Sequence, residues 1–90
     1  MKLDELIFNQ INIRHIARHK VLPEEVEETV GGKTLTFAAK KGRIMVVGRT
    51  QSARTLAIIL EKVEDGKYFV VTARDADRKE RKMYQEEIYE

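Results

Sequence analysis

Arginine at 74, 78 and 81, glutamate at 80 and tyrosine at 84 crowd into the segment TARDADRKERKMYQ, residues 72 to 85. These are types that could handle a phosphate. An arginine fork matches phosphate oxygens and does not titrate, a carboxylate can take a proton, and a phenol can share one. The same residues also make an ordinary helix face. Asp77 and Arg81, Glu80 and Tyr84, and Arg74 and Arg78 are four apart, and Arg81 and Tyr84 three apart, so each pair would be surface neighbours. Asp77 followed three residues later by Glu80 reads as a capping box. Ion pairs on such a face add only about 0.3–0.5 kcal/mol each, and they need no substrate to explain them.

The elements that would carry this segment follow from periodicity. Apolar residues at Leu3, Leu6, Ile7, Ile11, Ile13, Ile16 and Ala17 contain a helical stripe that Ile11 and Ile13 blur, which predicts a helix over about 9 to 19. Pro23 begins a second helix with Glu24 and Glu25 in its first turn, and Gly31-Gly32 ends it. KTLTFAA, RIMVVGR, RTLAIILEK and KYFVVTAR then read as strands, separated by KKG, TQSA and EDG. Asp65-Gly66 is a tight-hairpin signal. Links this short predict an antiparallel meander, followed by a last helix over 75 to 88. The expectation is one α+β domain over residues 1–90: two N-terminal helices, a four-stranded antiparallel sheet and a C-terminal helix.

Alternation places Ile44 and Val46 on one sheet face and Arg43, Met45, Val47 and Arg49 on the other. By the same rule Phe69, Val71 and Ala73 oppose Tyr68, Val70, Thr72 and Arg74. Helices at both ends are expected to cover one face and to leave part of the other to a ligand. Alternation alone does not say whether Arg49 and Arg74 share that face, because a one-residue slip exchanges the two.

Composition narrows the function classes. A chain of 90 residues has room for one small core, and the absence of cysteine excludes disulfides and thiolate metal sites. The apolar runs are too short to cross a bilayer, and MKLDELIF carries acids where a signal peptide would be basic, so a cytoplasmic protein is expected. Net charge is only +2, but its distribution is uneven. Residues 29 to 60 carry Lys33, Lys40, Lys41, Arg43, Arg49 and Arg54 and no acid, whereas PEEVEE at 23 to 28 carries four acids and no base. A basic block of this kind suits a polyanion; it also suits a lysine-studded sheet edge that resists aggregation.

Three stretches in order, IRHIARHKVLPEEVEETV, VVGRTQSARTLAIIL and GKYFVVTARDADRKERKMYQ, resemble the BrnT toxin family over about residues 8 to 86. The most specific pieces are Gly48-Arg49-Thr50 and the pattern Ala73-Arg74, Glu80-Arg81, Tyr84. The chain has His19-Lys20-Val21 where that family usually has His-Gly-Val, and it has no tryptophan where the family commonly opens on Trp-Asp. The resemblance implies a RelE-like ribonuclease toxin of a bacterial type II toxin–antitoxin pair. Its partners would be an RNA substrate and a cognate antitoxin, itself DNA-binding, in a toxin–antitoxin hetero-oligomer. It implies cleavage without metal or other cofactor, by attack of a 2′-hydroxyl on the adjacent phosphate. Arg49, Arg74 and Arg81 would meet phosphate charge, Tyr84 would position substrate or share a proton, and Glu80 would orient the cluster or act as base. Lys40, Lys41, Arg43 and Arg54 are candidates for RNA contact.

Other motifs carry less. His15 and His19 share a helical face but have no obvious third ligand, so no metal is assigned. The helix dipole accounts for the acids of PEEVEE without a partner. Phe37, Tyr68 and Phe69 could stack on bases, yet no aromatic-rich RNA motif surrounds them, and the glycines lack phosphate-loop spacing. The competing functions are a non-catalytic RNA-binding module and a protein-interaction domain whose charged helix docks a partner.

Overall fold

Period-two patterning from residue 34 onward becomes a twisted sheet, and the helical segments divide between its faces. The structure, a computed structural model, describes residues 5–89; Leu3 lies outside them. In chain order the elements are β1 (Glu5–Ile7), α1 (Gln10–Ala17), α2 (Pro23–Gly31), β2 (Thr34–Ala38), β3 (Ile44–Arg49), β4 (Thr55–Glu64), β5 (Lys67–Asp75) and α3 (Arg78–Ile88). The fold is mixed α+β. None of the described helices is long and apolar enough to cross a membrane.

The sheet has five strands, not four, in the order β1-β5-β4-β3-β2. Strands β2 to β5 form the antiparallel meander that short links require. The added strand, β1, pairs parallel with β5, Glu5 opposite Lys67 and Ile7 opposite Phe69. The β4–β5 hairpin turns at Asp65-Gly66, where Gly66 takes φ +80°.

Helices cover both faces, contrary to the one-sided cover expected from the sequence. Ile16, Val21 and Val26 bring α1 and α2 onto Val46, Leu56, Ile58, Leu60, Val70 and Ala73. On the opposite face Tyr84 and Ile88 of α3 pack with Val47, Ala57, Leu35, Phe37 and Met45. Both cores are needed because β3 and β4 are apolar on both sides: neighbours Val46 and Val47 are each fully buried, as are Leu56 and Ala57. Tyr68 belongs to the α1–α2 core, while Phe37 packs under α3.

Strict alternation also fails within β5. Ile59 is opposite Thr72 but Leu60 is opposite Val70, so Val71 is an extra residue at a bulge. Val70 and Ala73 consequently point into the same core. Asn12, buried in α1, donates to the Val70 carbonyl beside this bulge and to the Ile7 carbonyl, both at 3.0 Å. One side-chain amide thus ties α1, β1 and β5 together.

Candidate functional site

Arg49 ends β3, and its neighbour Gly48 fixes how it is presented. A Cβ at Gly48 would lie 2.9 Å from the Thr29 methyl of α2 and 3.1 Å from the Thr34 methyl of β2. Glycine therefore lets α2 and the start of β2 close against β3. The chain then turns at once: the Thr50 hydroxyl accepts the Arg54 amide at 3.2 Å, and Ala53 takes φ +67°.

These contacts open a cleft of about 430 Å³ between the end of α2, the β3–β4 turn and the end of α3. Glu28, Lys33, Arg49, Thr50, Gln51, Tyr84 and Tyr89 contribute to its walls. The Arg49 guanidinium lies 4.4 Å from the Tyr89 ring centroid and 5.8 Å from that of Tyr84, within cation–π reach. It donates to Gln85 Oε1 at 3.0 Å, while its Nε is buried with no hydrogen-bond partner among the described residues. Among the described residues no carboxylate pairs with it. A cation held by aromatic faces and one neutral amide keeps its charge available to an anion.

Tyr84 forms the floor of the cleft and is 2% exposed. Its hydroxyl donates to the Lys33 carbonyl at 2.8 Å. Burial, reinforced by neighbouring Tyr89, pushes the phenol up to about 12, with Arg49 pulling weakly the other way. A phenol so placed is a buttress. It holds the end of β2's lead-in against α3 and keeps its proton.

Arg74 shares the α3 face of the sheet with Arg49: it is opposite Ala57, which is opposite Val47, two residues before Arg49. Two strand spacings and two residues put their Cα atoms about 12 Å apart. Arg74 turns to the first turn of α3. There Glu80 receives both arms of the fork, at 2.8 and 3.0 Å, and also accepts the Asp77 amide at 2.8 Å. Asp77 Oδ1 returns the bond to the Glu80 amide at 2.8 Å, completing the capping box that the spacing announces. The Arg74 hydrogen bond, against the cost of burial, holds the Glu80 carboxyl below the usual glutamate range, and the same bond raises Arg74. Arg81 is exposed beside this knot and donates to the Ala76 carbonyl at 2.6 Å; Arg78 is exposed.

The five candidates thus divide. Arg49 and Tyr84 meet at the cleft, while Arg74, Glu80 and Arg81 gather at the other end of α3. The basic candidates divide too. Lys40 and Lys41 are exposed in the β2–β3 turn, where Lys41 takes φ +62°, and Arg43 pairs with Glu61 at 3.0 Å. Six residues of extended chain separate Arg43 from Arg49, about 20 Å. Arg54 is a clamp: it binds Asp75 at 2.7 Å, the Lys20 and His19 carbonyls at 2.6 and 3.1 Å, and Glu25 at 3.1 Å. Its guanidinium knits the α1–α2 loop and α2 to β5.

His15 on α1 and His19 in the turn after it are exposed, with ring centroids 5.8 Å apart. Among the described residues no three or more histidines or carboxylates converge as metal ligands would. Sequence reasoning missed Glu28, whose Oε1 accepts the Gln51 amide at 3.2 Å on the cleft rim. A signal was present: an acid in the last turn of a helix runs against the helix dipole. No protein-family model matches this chain, and no curated protein matches its sequence.

Proposed function

We propose that the chain is a RelE-like, metal-independent endoribonuclease. By its resemblance to the BrnT family, it would act in the cytoplasm as the toxin of a type II pair, silenced by a cognate DNA-binding antitoxin. The observation that carries the ribonuclease reading is Arg49: a cation without a carboxylate partner among the described residues, stacked on Tyr89, in an open cleft beside Lys33. A 2′-hydroxyl attack builds negative charge on the non-bridging phosphate oxygens, and a guanidinium held in place by aromatic rings and an amide is suited to meet it. Arg74 and Glu80 then serve as a brace for α3, Tyr84 as the support of the cleft floor, and Arg81 as an outlying phosphate contact. The order of helices, antiparallel meander and closing helix supports the RelE-like reading. So does Lys20, whose φ of +59° is a conformation natural to the glycine that the family usually has there.

A second reading, a non-catalytic RNA-binding module, draws on a specific observation: Glu80 and Tyr84 are both engaged in holding the fold. One experiment separates the two. Purified chain free of any partner is incubated with single-stranded RNA in excess chelator, and the fragments' ends are analysed. Cleavage leaving 2′,3′-cyclic phosphate and 5′-hydroxyl ends is the expected result. Salt-sensitive binding with intact RNA would favour the second reading.

A further inference from the structure

Attack by a 2′-hydroxyl needs a group to take its proton, and both groups suggested by the sequence are occupied. Glu80 is gripped by the Arg74 fork and the Asp77 amide, and the Tyr84 proton is given to the Lys33 carbonyl. We infer that Glu28 is the general base of this cleft; the inference rests on the ribonuclease reading.

Three observations carry it. Glu28 lines the same cavity as Arg49 and Lys33, and it is the only carboxylate among the described residues that does. The Gln51 amide holds one carboxylate oxygen at 3.2 Å, while the other has no hydrogen bond or ion pair among the described residues. Glu25, one turn earlier, is by contrast tied to Arg54 and to the Leu22 amide. Last, the position has no helix-stabilising explanation. Glu24 and Glu25 complement the positive end of α2, whereas Glu28 lies towards its negative end. A half-buried carboxylate, oriented by one backbone amide and paired with no cation among the described residues, is equipped to accept a proton.

The step balances without a further reactant. Glu28 Oε2 takes the proton from O2′ as the O2′–P bond forms. Arg49, with Lys33, meets the charge on the non-bridging oxygens. The P–O5′ bond breaks, O5′ takes a proton from water, and the hydroxide so formed takes the proton from Glu28 and restores the base. The products are a 2′,3′-cyclic phosphate and a 5′-hydroxyl end. Lys33, Arg49, Tyr84 and Tyr89 are the charged or titratable groups facing Glu28 across the cleft, and Glu24, Glu25 and Glu27 are those on its own helix.

The test is the pH profile of kcat/KM for wild-type, Glu28→Gln and Glu28→Asp on a fluorescently labelled oligoribonucleotide, with RNA affinity and thermal midpoint measured in parallel. Glutamine keeps an acceptor for the Gln51 amide. Glu28→Gln is expected to lower kcat/KM by about 100-fold or more and to lose the limb that rises with pH. RNA affinity should not fall, since the substitution removes a negative charge from the cleft. Glu28→Asp, with its charge on a shorter stem, is expected to keep the limb at reduced kcat. Wild-type kcat/KM in Glu28→Gln, or an unaltered limb, would overturn the role of Glu28 while leaving the ribonuclease reading intact. Wild-type protein that binds RNA and cuts none would overturn both.

Discussion

The two ends of α3 are built from the same residue types and do opposite things with them. At the N-terminal end Arg74, Glu80 and Asp77 satisfy one another: a bidentate pair and two reciprocal amide bonds leave little charge to offer a ligand. At the C-terminal end Arg49 meets aromatic faces and a neutral glutamine, and its Nε has no partner among the described residues. An arginine answered by a buried carboxylate holds a fold together. One answered by tyrosines keeps its charge for something else. Residue type does not separate the two roles; the partner does.

The largest effect that would sharpen this contrast is at Tyr84, the buried support of the cleft end. Tyr84→Ala is expected to cost about 3–5 kcal/mol by leaving a cavity in the α3 core. Tyr84→Phe deletes only the bond to the Lys33 carbonyl and should cost about 1 kcal/mol. Denaturant melts measure both. If Tyr84→Phe instead abolished cleavage in a fully folded protein, the hydroxyl would belong to the chemistry.

Next comes Glu80. Glu80→Ala removes the Arg74 pair and half of the capping box, at about 2 kcal/mol for a pair that is open to solvent on its arginine side. The same carboxylate sets a pH dependence. Its folded pKa lies below the unfolded value, so its contribution is present above the ordinary glutamate range, near about 4.3, and is lost as pH falls through the lowered folded value. Thermal midpoints across the acid range should therefore decline less steeply in Glu80→Gln than in wild-type. Parallel declines would mean that the knot carries no linkage.

The smallest effect is at Asp77. Asp77→Ala removes one cap and should cost about 1 kcal/mol, with cleavage unchanged when measured well below the melting temperature. A rate loss at unchanged stability would move the active end to the N-terminus of α3.

How much of this was legible in the sequence depends on how local each feature is. The capping box at Asp77 and Glu80, the start of α2 at Pro23 and the Asp65-Gly66 hairpin are set by neighbours in the chain, and each occurs where its spacing predicts. Strand β1 escaped because three residues have no readable period, and their partner in β5 is some sixty residues away. The bulge at Val71 escaped because alternation presumes an unbroken ladder; the buried amide of Asn12 beside it shows no local pattern. The site behaved likewise. Arg49 and Tyr84 could be named from the sequence, but only the fold sets them beside Glu28 and apart from Arg74.

The most direct test of the contrast compares Arg49→Ala with Arg74→Ala in one RNA-cleavage assay, each with its thermal midpoint. Arg49→Ala is expected to lower the cleavage rate by roughly 10²–10³, as for one lost transition-state donor, at a nearly unchanged midpoint. Arg74→Ala is expected to lower the midpoint while the folded protein cuts within several-fold of wild-type. The reverse pattern, with Arg74→Ala inactive though stable and Arg49→Ala active, would contradict the account.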